Sequence, residues 1–508
     1  MNFLQRILPG EIVSAVLITL YFAVLGLLSI YGLHRYQMLY LYYRDRARLR
    51  RRAVWNRQWP SVTVQLPLYN ELYVARRLIE AVCAMDYPRE LLEVQVLDDS
   101  TDKTSDLVAE LVRLRREAGV RISHIRRAER RGYKAGALDA GLKCATEEFI
   151  AVFDADFVPP RDFLRRLLPH LADPAVGMVQ ARWDHLNRDY SLLTRVQSLL
   201  LDGHFVIEHA ARNASGRFFN FNGTAGIWRR RCIEESGGWQ HDTLTEDLDL
   251  SYRAQLAGWR FIYLADASAP SELPIEMDAF KSQQHRWAKG SVQTARKLLG
   301  RILRSPVGAA VKLEAFVHLT SNFSYPLMVM MSALLFPVMA IRARASALNL
   351  LLIDLPLFLI STTSVSSFYL CSQKELGRSP WKTLPLIPPL MAIGIGLSIT
   401  TARAVLEALG QMNGEFRRTP KHGIEGREGS AAGKRYRGQR SYALVVEALF
   451  AVYFSIVLAV AVVSRMWAAL PFLALFWWGY SFTAGLSLLQ RLGPRAAASA
   501  GDILPARA

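Results

Sequence analysis

The sequence predicts an α/β domain with a doubly wound, mostly parallel sheet, joined to an α-helical transmembrane region. Three observations lead there. Between residues 62 and 182, apolar runs of strand length alternate with stretches whose apolar residues recur every three or four positions, the pattern of a layered α/β sheet. Uncharged runs of membrane length stand near both ends, while residues 55–305 read as an ordinary soluble domain. Arginines crowd beside the apolar runs, as cytoplasmic flanks of membrane helices do.

The first apolar run, Ile12 to Leu33, carries no charge and is long enough to cross a hydrocarbon core. It is too long for a cleaved signal peptide, its charge follows it, and no small-residue cleavage site is clear. Arg44, Arg46, Arg48, Arg50, Arg51 and Arg52 come next. Such a cluster stays cytoplasmic, which places the N-terminus outside and residues 44 onward inside. The net charge of +18 therefore marks a membrane rim and not a nucleic-acid surface, since no nucleic-acid module accompanies it. The four cysteines are scattered, without zinc or disulfide spacing, and suit a reducing compartment.

The strands expected are Val62–Leu68, Val94–Leu97, Ile122–Ile125, Phe149–Phe153 and Val176–Ala181. Helices are expected over Leu72–Met85, Ser105–Glu117 and Lys134–Cys144. Ligands of such sheets bind beyond the carboxyl ends of the strands. Two of these ends are acidic: Asp98-Asp99-Ser100 and Asp154-Ala155-Asp156. One such cluster reads equally well as a turn or helix cap. Two in one sheet suit a hard cation, Mg²⁺ or Mn²⁺, shared with substrate phosphates. Neither a GxGxxG nor a GxxxxGK[ST] loop is present, which argues against dinucleotide and P-loop chemistry. Thr245-Glu246-Asp247 opens a helical stretch, where acidic residues are also ordinary first-turn partners of the helix dipole. Gln283-Gln284-His285-Arg286-Trp287 sets a phosphate-binding arginine beside a flat aromatic face; an interfacial helix anchor is the plainer alternative.

Five apolar runs follow the domain: Phe316–Ile341, Ala345–Cys371, Thr383–Ala402, Tyr442–Ser464 and Met466–Gln490. If the third spans, the arginine-rich loop 403–440 falls outside, against the positive-inside tendency. Pro388 and Pro389 also interrupt that run. Residues 384–410 are therefore expected as an interfacial helix, giving five spans with the C-terminus inside. Asp354 and Glu447 lie within presumed spans; lining a polar path and sitting near a helix end remain equally open. The expected organisation is a membrane anchor (1–43), a cytoplasmic domain (44–305), a membrane region (306–490) with a loop at about 411–440, and a short disordered tail (491–508).

In order, Asp98-Asp99, Asp154-x-Asp156, Thr245-Glu246-Asp247 and Gln283-x-x-Arg286-Trp287 resemble the processive inverting family-2 glycosyltransferases, the cellulose-synthase-like enzymes. Gln65–Glu71, Phe221–Gly226 and Gln283–Trp287 resemble the mannan and glucomannan synthase-like subgroup most closely. The resemblance, which extends to about residue 490, implies a GT-A-type fold and transfer of a hexose from GDP-mannose or UDP-/GDP-glucose to a growing β-linked polysaccharide. It implies that Tyr69, Asn70, Glu71 and Asp99 contact the nucleoside, with Asp98 supporting their turn. Asp154 and Asp156 would hold the metal–diphosphate beside Lys134, Thr245 and Glu246 would flank the substrate, and Asp247 would be the general base. Gln283 and Arg286 would steady the diphosphate, and Trp287 would stack under the acceptor sugar. Phe416–Lys421 resembles the family's gating loop, departing from it at Arg418. An inverting displacement on an α-linked donor gives a β-glycoside.

Two rivals share parts of this pattern. A lipid glycosyltransferase would use the same donor site and membrane location; a transporter with a nucleotide-sugar-binding domain would need no complete acidic set. The implied partners are a nucleotide-sugar donor, a polysaccharide or lipid acceptor and membrane lipids, with no nucleic acid and the oligomeric state left open. The Ala- and Arg-rich composition suits a bacterium, and thus an inner-membrane protein with a cytoplasmic catalytic domain.

Overall fold

The computed structural model describes residues 10–50, 53–55, 58–342, 347–412, 414, 418–426 and 442–492. Phe416 and Arg417, most of the loop to residue 440, the tail from 493 and the Asp354 side chain lie outside the described residues.

Seven strands, β1 (Val62–Leu68), β2 (Leu92–Asp98), β3 (Ile122–Arg126), β4 (Phe149–Val152), β5 (Val176–His185), β6 (Gly226–Arg229) and β7 (Arg260–Ser271), form one sheet. Their order is β3-β2-β1-β4-β6-β5-β7. Strands β1 to β4 run parallel, β6 is antiparallel to both β4 and β5, and β7 is parallel to β5. The five strands expected from sequence are all present; β6 and β7 escaped the pattern. β6 is buried at all four positions, so it shows no alternation, and β7 ends in small residues that resemble a loop.

Helices cover both faces. α2 (Ala75–Cys83) and α3 (Thr104–Glu117) pack Leu78, Ile79, Val108 and Leu111 on one face, against Val62, Val64 and Leu66. α4 (Tyr133–Cys144) packs Leu138 and Leu142 on the other. Strand β1 alternates Val-Thr-Val-Gln-Leu, so its second face offers polar Thr63 and Gln65. Gly141 of α4 meets that face, where a Cβ would come within 2.6 Å of Gln65 Nε2. α5 (Leu192–Asp202) and α6 (Glu246–Leu256) complete the domain, and a π-helical turn, Gly203–His209, extends α5.

The second-face core does not stop at the sheet. It continues into Met38, Leu41 and Tyr42 of the long N-terminal helix α1 (Glu11–Asp45), and into Ile387, Leu390 and Ile393 farther along the chain. α7 (Met277–Arg304) then leads to α8 (Ala309–Thr320), α9 (Ser324–Arg342) and α10 (Ala347–Glu375). α11 (Ile387–Gly396) and α12 (Ser398–Gly410) precede the last pair, α13 (Ala443–Val463) and α14 (Leu470–Leu492). A second apolar cluster joins Tyr21 and Val24 of α1 to Leu334, Ile395, Phe454 and Phe476.

Among the described residues, four helical stretches are long and apolar enough to cross a membrane: Glu11–Leu49, Ala309–Ile341, Ala443–Val463 and Leu470–Leu492. The single interfacial helix expected over 384–410 is instead a bent pair, Pro380–Gly396 and Ser398–Gly410, meeting at 42° and able to count as a fifth. Its first half packs against α14. Gly396 and Gly479 allow α11 and α14 into contact; a Cβ on Gly479 would sit 2.4 Å from the Ala392 carbonyl oxygen.

Candidate active site

The carboxyl ends of β2, β1 and β4 are neighbours in the sheet, and one cleft opens beyond them. Strand order reverses direction between β1 and β4, the position where open α/β sheets hold ligands. Into this cleft come Tyr69 and Glu71 after β1, Asp99 after β2, Asp154 and Asp156 after β4, and Lys134 from the first turn of α4. The start of α6 adds Thr245, Glu246 and Asp247; α7 adds Gln283, Arg286 and Trp287 from successive turns of one face. Carboxylates at 99, 156 and 247 thus line a single cavity, as the ordered motifs require.

Two expected residues stand behind that lining. Asn70 adopts φ 56°, a left-handed conformation that Asn tolerates. Its backbone N–H donates to Ser100 Oγ at 2.8 Å, and its Oδ1 accepts from the Thr101 N–H at 2.8 Å. Asn70 therefore ties β1's turn to β2's turn and, unlike Tyr69, Glu71 and Asp99, does not line the cleft. Asp98 is buried; it accepts from the Ser100 N–H at 2.9 Å and pairs with His124 Nε2 at 2.9 Å. Burial alone would raise its pKa, but His124 and Ser100 hold it down at about 2.

Charges in the cleft are arranged in pairs. Lys134 Nζ lies 2.6 Å from Asp154 and donates to the Gly223 carbonyl at 2.8 Å. Lys421 Nζ lies 2.6 Å from Asp156. Arg127 holds Asp99 through a two-pronged contact, and Arg418 lies 3.5 Å from Glu71 while donating to the Tyr69 carbonyl. Burial raises Glu71 to about 8 despite Arg418 nearby. Among the described residues no group of three His, Cys, Asp or Glu side chains could cage a metal alone. The donor set nevertheless fits a hard divalent cation: two carboxylates on one short turn face the cleft, leaving its remaining positions to phosphate oxygens.

Asp247 is half-buried in the cleft wall, and burial is the main reason its pKa rises to about 7; the negative Glu246 beside it adds to the rise, and Lys134 opposes it. Its Oδ1 accepts the Leu248 N–H at 2.8 Å, which fixes the carboxylate at the helix start. Opposite it is Gly223 at φ +80°, where a Cβ would sit 3.0 Å from Asp247 Oδ2 and 3.1 Å from Lys134 Nζ. Glycine there keeps the backbone close to both charges. Gly290 of α7 does the same for Thr245, whose Cγ2 would be 2.5 Å from an added Cβ.

Sequence reasoning missed several lining residues. Trp183, near the end of β5, lies 6.4 Å from Trp287 between ring centroids. Asn222 and Arg130 also line the cleft. Asn222 belongs to the Phe221–Gly226 segment that the resemblance rests on, without a role implied for it, while Arg130 has no sequence signal beyond its position four residues past β3. Arg418 and Lys421 come from the segment expected as a gating loop, whose described part, 418–426, reaches the cleft. The His422 and Gly423 N–H groups donate to Glu272, and Arg77 pairs with the same carboxylate, pinning that segment to the domain.

Residues 60–290 match the family described as "Glycosyltransferase like family 2". Glucomannan 4-beta-mannosyltransferase 1 of Oryza sativa subsp. japonica is 44% identical over 273 residues, 52% of this chain and 51% of its own length. Glucomannan 4-beta-mannosyltransferase 2 of Arabidopsis thaliana is 47% identical over 253 residues, 49% of this chain and 47% of its own. The chain spans about half the length of the curated relatives it matches. Its fold is similar to that of a mannosyltransferase from Pyrobaculum calidifontis solved with GDP-Man and Mn²⁺, at TM-score 0.50 and 24% identity over 70% of this chain and 98% of that one. Residues 60–290 thus match a family-2 glycosyltransferase domain, and about half of the chain is similar to glucomannan 4-beta-mannosyltransferases.

Proposed function

We propose that the protein is a membrane-embedded inverting hexosyltransferase that moves mannose, or glucose, from a nucleotide-sugar to a growing β-linked polysaccharide of the (gluco)mannan type. GDP-mannose is the first donor to test, because the relatives are named as mannosyltransferases and the solved neighbour holds GDP-Man. The observation that carries the reading is Asp247, a half-buried carboxylate raised to about 7 in the same cleft as Asp154 and Asp156. A carboxylate held near the working pH is a general base, able to accept the acceptor hydroxyl's proton as that oxygen attacks the anomeric carbon.

Asp154 and Asp156 hold the divalent ion, Mg²⁺ or Mn²⁺, which when bound offsets charge on the leaving diphosphate. Arg286 and Lys134 contribute fixed positive charge to the same end, and Gln283 a hydrogen-bonding amide. Tyr69, Glu71 and Asp99 form the nucleoside end. Trp287, with Trp183 beside it, offers an apolar floor for the acceptor sugar. Segment 418–426 closes over the donor, through Arg418 and Lys421. The domain lies on the cytoplasmic side, with the arginines after α1 at the membrane rim, and the membrane helices guide the lengthening product.

The test is a donor screen on purified protein, reading diphosphate release and product size. Release with GDP-mannose and a high-mass, β-linked product supports the reading; one glycolipid spot replaces the polymer with a lipid acceptor. Asp247→Asn should bind donor normally yet lose transfer by roughly 10²–10⁴-fold. Turnover like the wild type in that variant removes Asp247 as the base.

A further inference from the structure

Arg130 differs from the neighbouring cleft cations. Lys134, Arg418 and Lys421 each face a carboxylate, but Arg130 donates no hydrogen bond to any described residue, and its Nε is buried without a partner. Its Cζ sits 3.4 Å from the centroid of the Tyr69 ring and 4.9 Å from that of Tyr133. At 3.4 Å the guanidinium must lie over the ring face, held by the ring's negative quadrupole. The N–H bonds of a guanidinium lie in its own plane, so stacking leaves its donor fork pointing sideways into the cleft.

That fork is at the end of the cleft formed by Tyr69 and Asp99, away from the turn of Asp154 and Asp156. Burial lowers the pKa of Arg130 even though Tyr69 and Asp99 nearby favour its charge, consistent with a guanidinium partly withdrawn from water. Among bases, guanine sets two acceptors, O6 and N7, side by side at the spacing of an arginine fork. Uracil's carbonyl oxygen is flanked instead by N–H or C–H, so the same fork makes one bond at most.

We propose that Arg130 selects the nucleotide, its stacked guanidinium pairing with O6 and N7 of guanine so that the donor is a GDP-sugar. This rests on the reading of the cleft as a nucleotide-sugar site. A contact with phosphate is the competing role for an arginine, and it predicts no discrimination between bases.

The experiment titrates the purified full chain calorimetrically with GDP, UDP and 7-deaza-GDP, in which N7 is replaced by carbon. Wild type should bind GDP more tightly than UDP, and 7-deaza-GDP about tenfold or more less tightly than GDP, as the loss of one arm of a bidentate pair entails. Arg130→Met, which removes both arms, should weaken GDP at least to the level at which wild type binds 7-deaza-GDP while weakening UDP far less, and Arg130→Lys should not restore the preference. Equal binding of GDP and 7-deaza-GDP by wild type overturns the proposal and needs no variant; so does a tighter grip on UDP. Equal weakening of GDP and UDP in Arg130→Met assigns the residue to phosphate and overturns it too. If folded wild type binds no nucleoside diphosphate, the nucleotide-sugar reading itself falls.

Discussion

Protonation of one carboxylate sets the pH response expected here. Asp247 is raised to about 7 by desolvation first and by Glu246 second. A base acts only when deprotonated, so kcat/KM should climb as pH rises through about 7 and level off above it. Glu246→Gln removes the neighbouring negative charge, lowering the pKa of Asp247 and moving that acid limb to lower pH; a pH–rate profile of the two proteins checks this. An unmoved limb would mean that another group titrates. At this scale the sequence was informative wherever identity alone fixes chemistry: Asp99, Asp154, Asp156 and Asp247, the arginine of the Gln-x-x-Arg-Trp motif and its tryptophan all reached the cleft. It was silent on Arg130, since Arg126, Arg127, Arg130 and Arg131 look alike in one dimension. Only the fold sends Arg127 to Asp99 and Arg130 to Tyr69. Asn70 illustrates the converse, a polar residue in a motif whose side chain belongs to the turn.

Close approaches between helices set the geometry one level up. α7 touches the start of α6 at Gly290, so Gly290→Ala must push Thr245 aside. Displacements of about 1 Å near reacting groups can cost on the order of 10²-fold in rate. The variant should therefore lose kcat by about tenfold or more with donor affinity little changed, measured as kcat and as donor Kd. Farther back on α7, Lys281 Nζ lies 2.5 Å from Glu447 of α13 and donates to Ser487 of α14 at 2.9 Å, with both charged groups buried. Glu447, whose place the sequence left open between a polar path and a helix end, lies in the second turn of α13 and anchors α7. Lys281→Met strands a buried carboxylate, at a cost of about 3–5 kcal/mol. Adding Glu447→Leu should recover much of that loss, read as thermal unfolding in detergent. No sequence pattern announces this pair, because its members are separated by 166 positions.

For the molecule as a whole, the alternation of strands and helices was legible because burial writes its period into the chain. The membrane region was less so. Apolar length marks a helix but not its bend: the stretch from Pro380 to Gly410 turns by 42° at its middle, and its Ile387, Leu390 and Ile393 are buried in the core shared with the sheet. Helix α7 shows what this architecture entails. It is one unbroken rod of 28 residues. Near its start Lys281 grips α13 and α14, Gln283, Arg286 and Trp287 follow within two turns, and Lys289 meets Glu407 of α12 at 3.1 Å. The cleft's α7 residues and the candidate membrane helices α12, α13 and α14 are thus joined through one helix, so a fragment ending at 305 should be inert and prone to aggregate, however well its sheet folds; transfer by such a fragment at the full-length rate would refute this. Tilting of the last two helices would be carried through α7 to Gln283, Arg286 and Trp287, so on the function proposed above lipid thickness becomes a variable that tunes the rate.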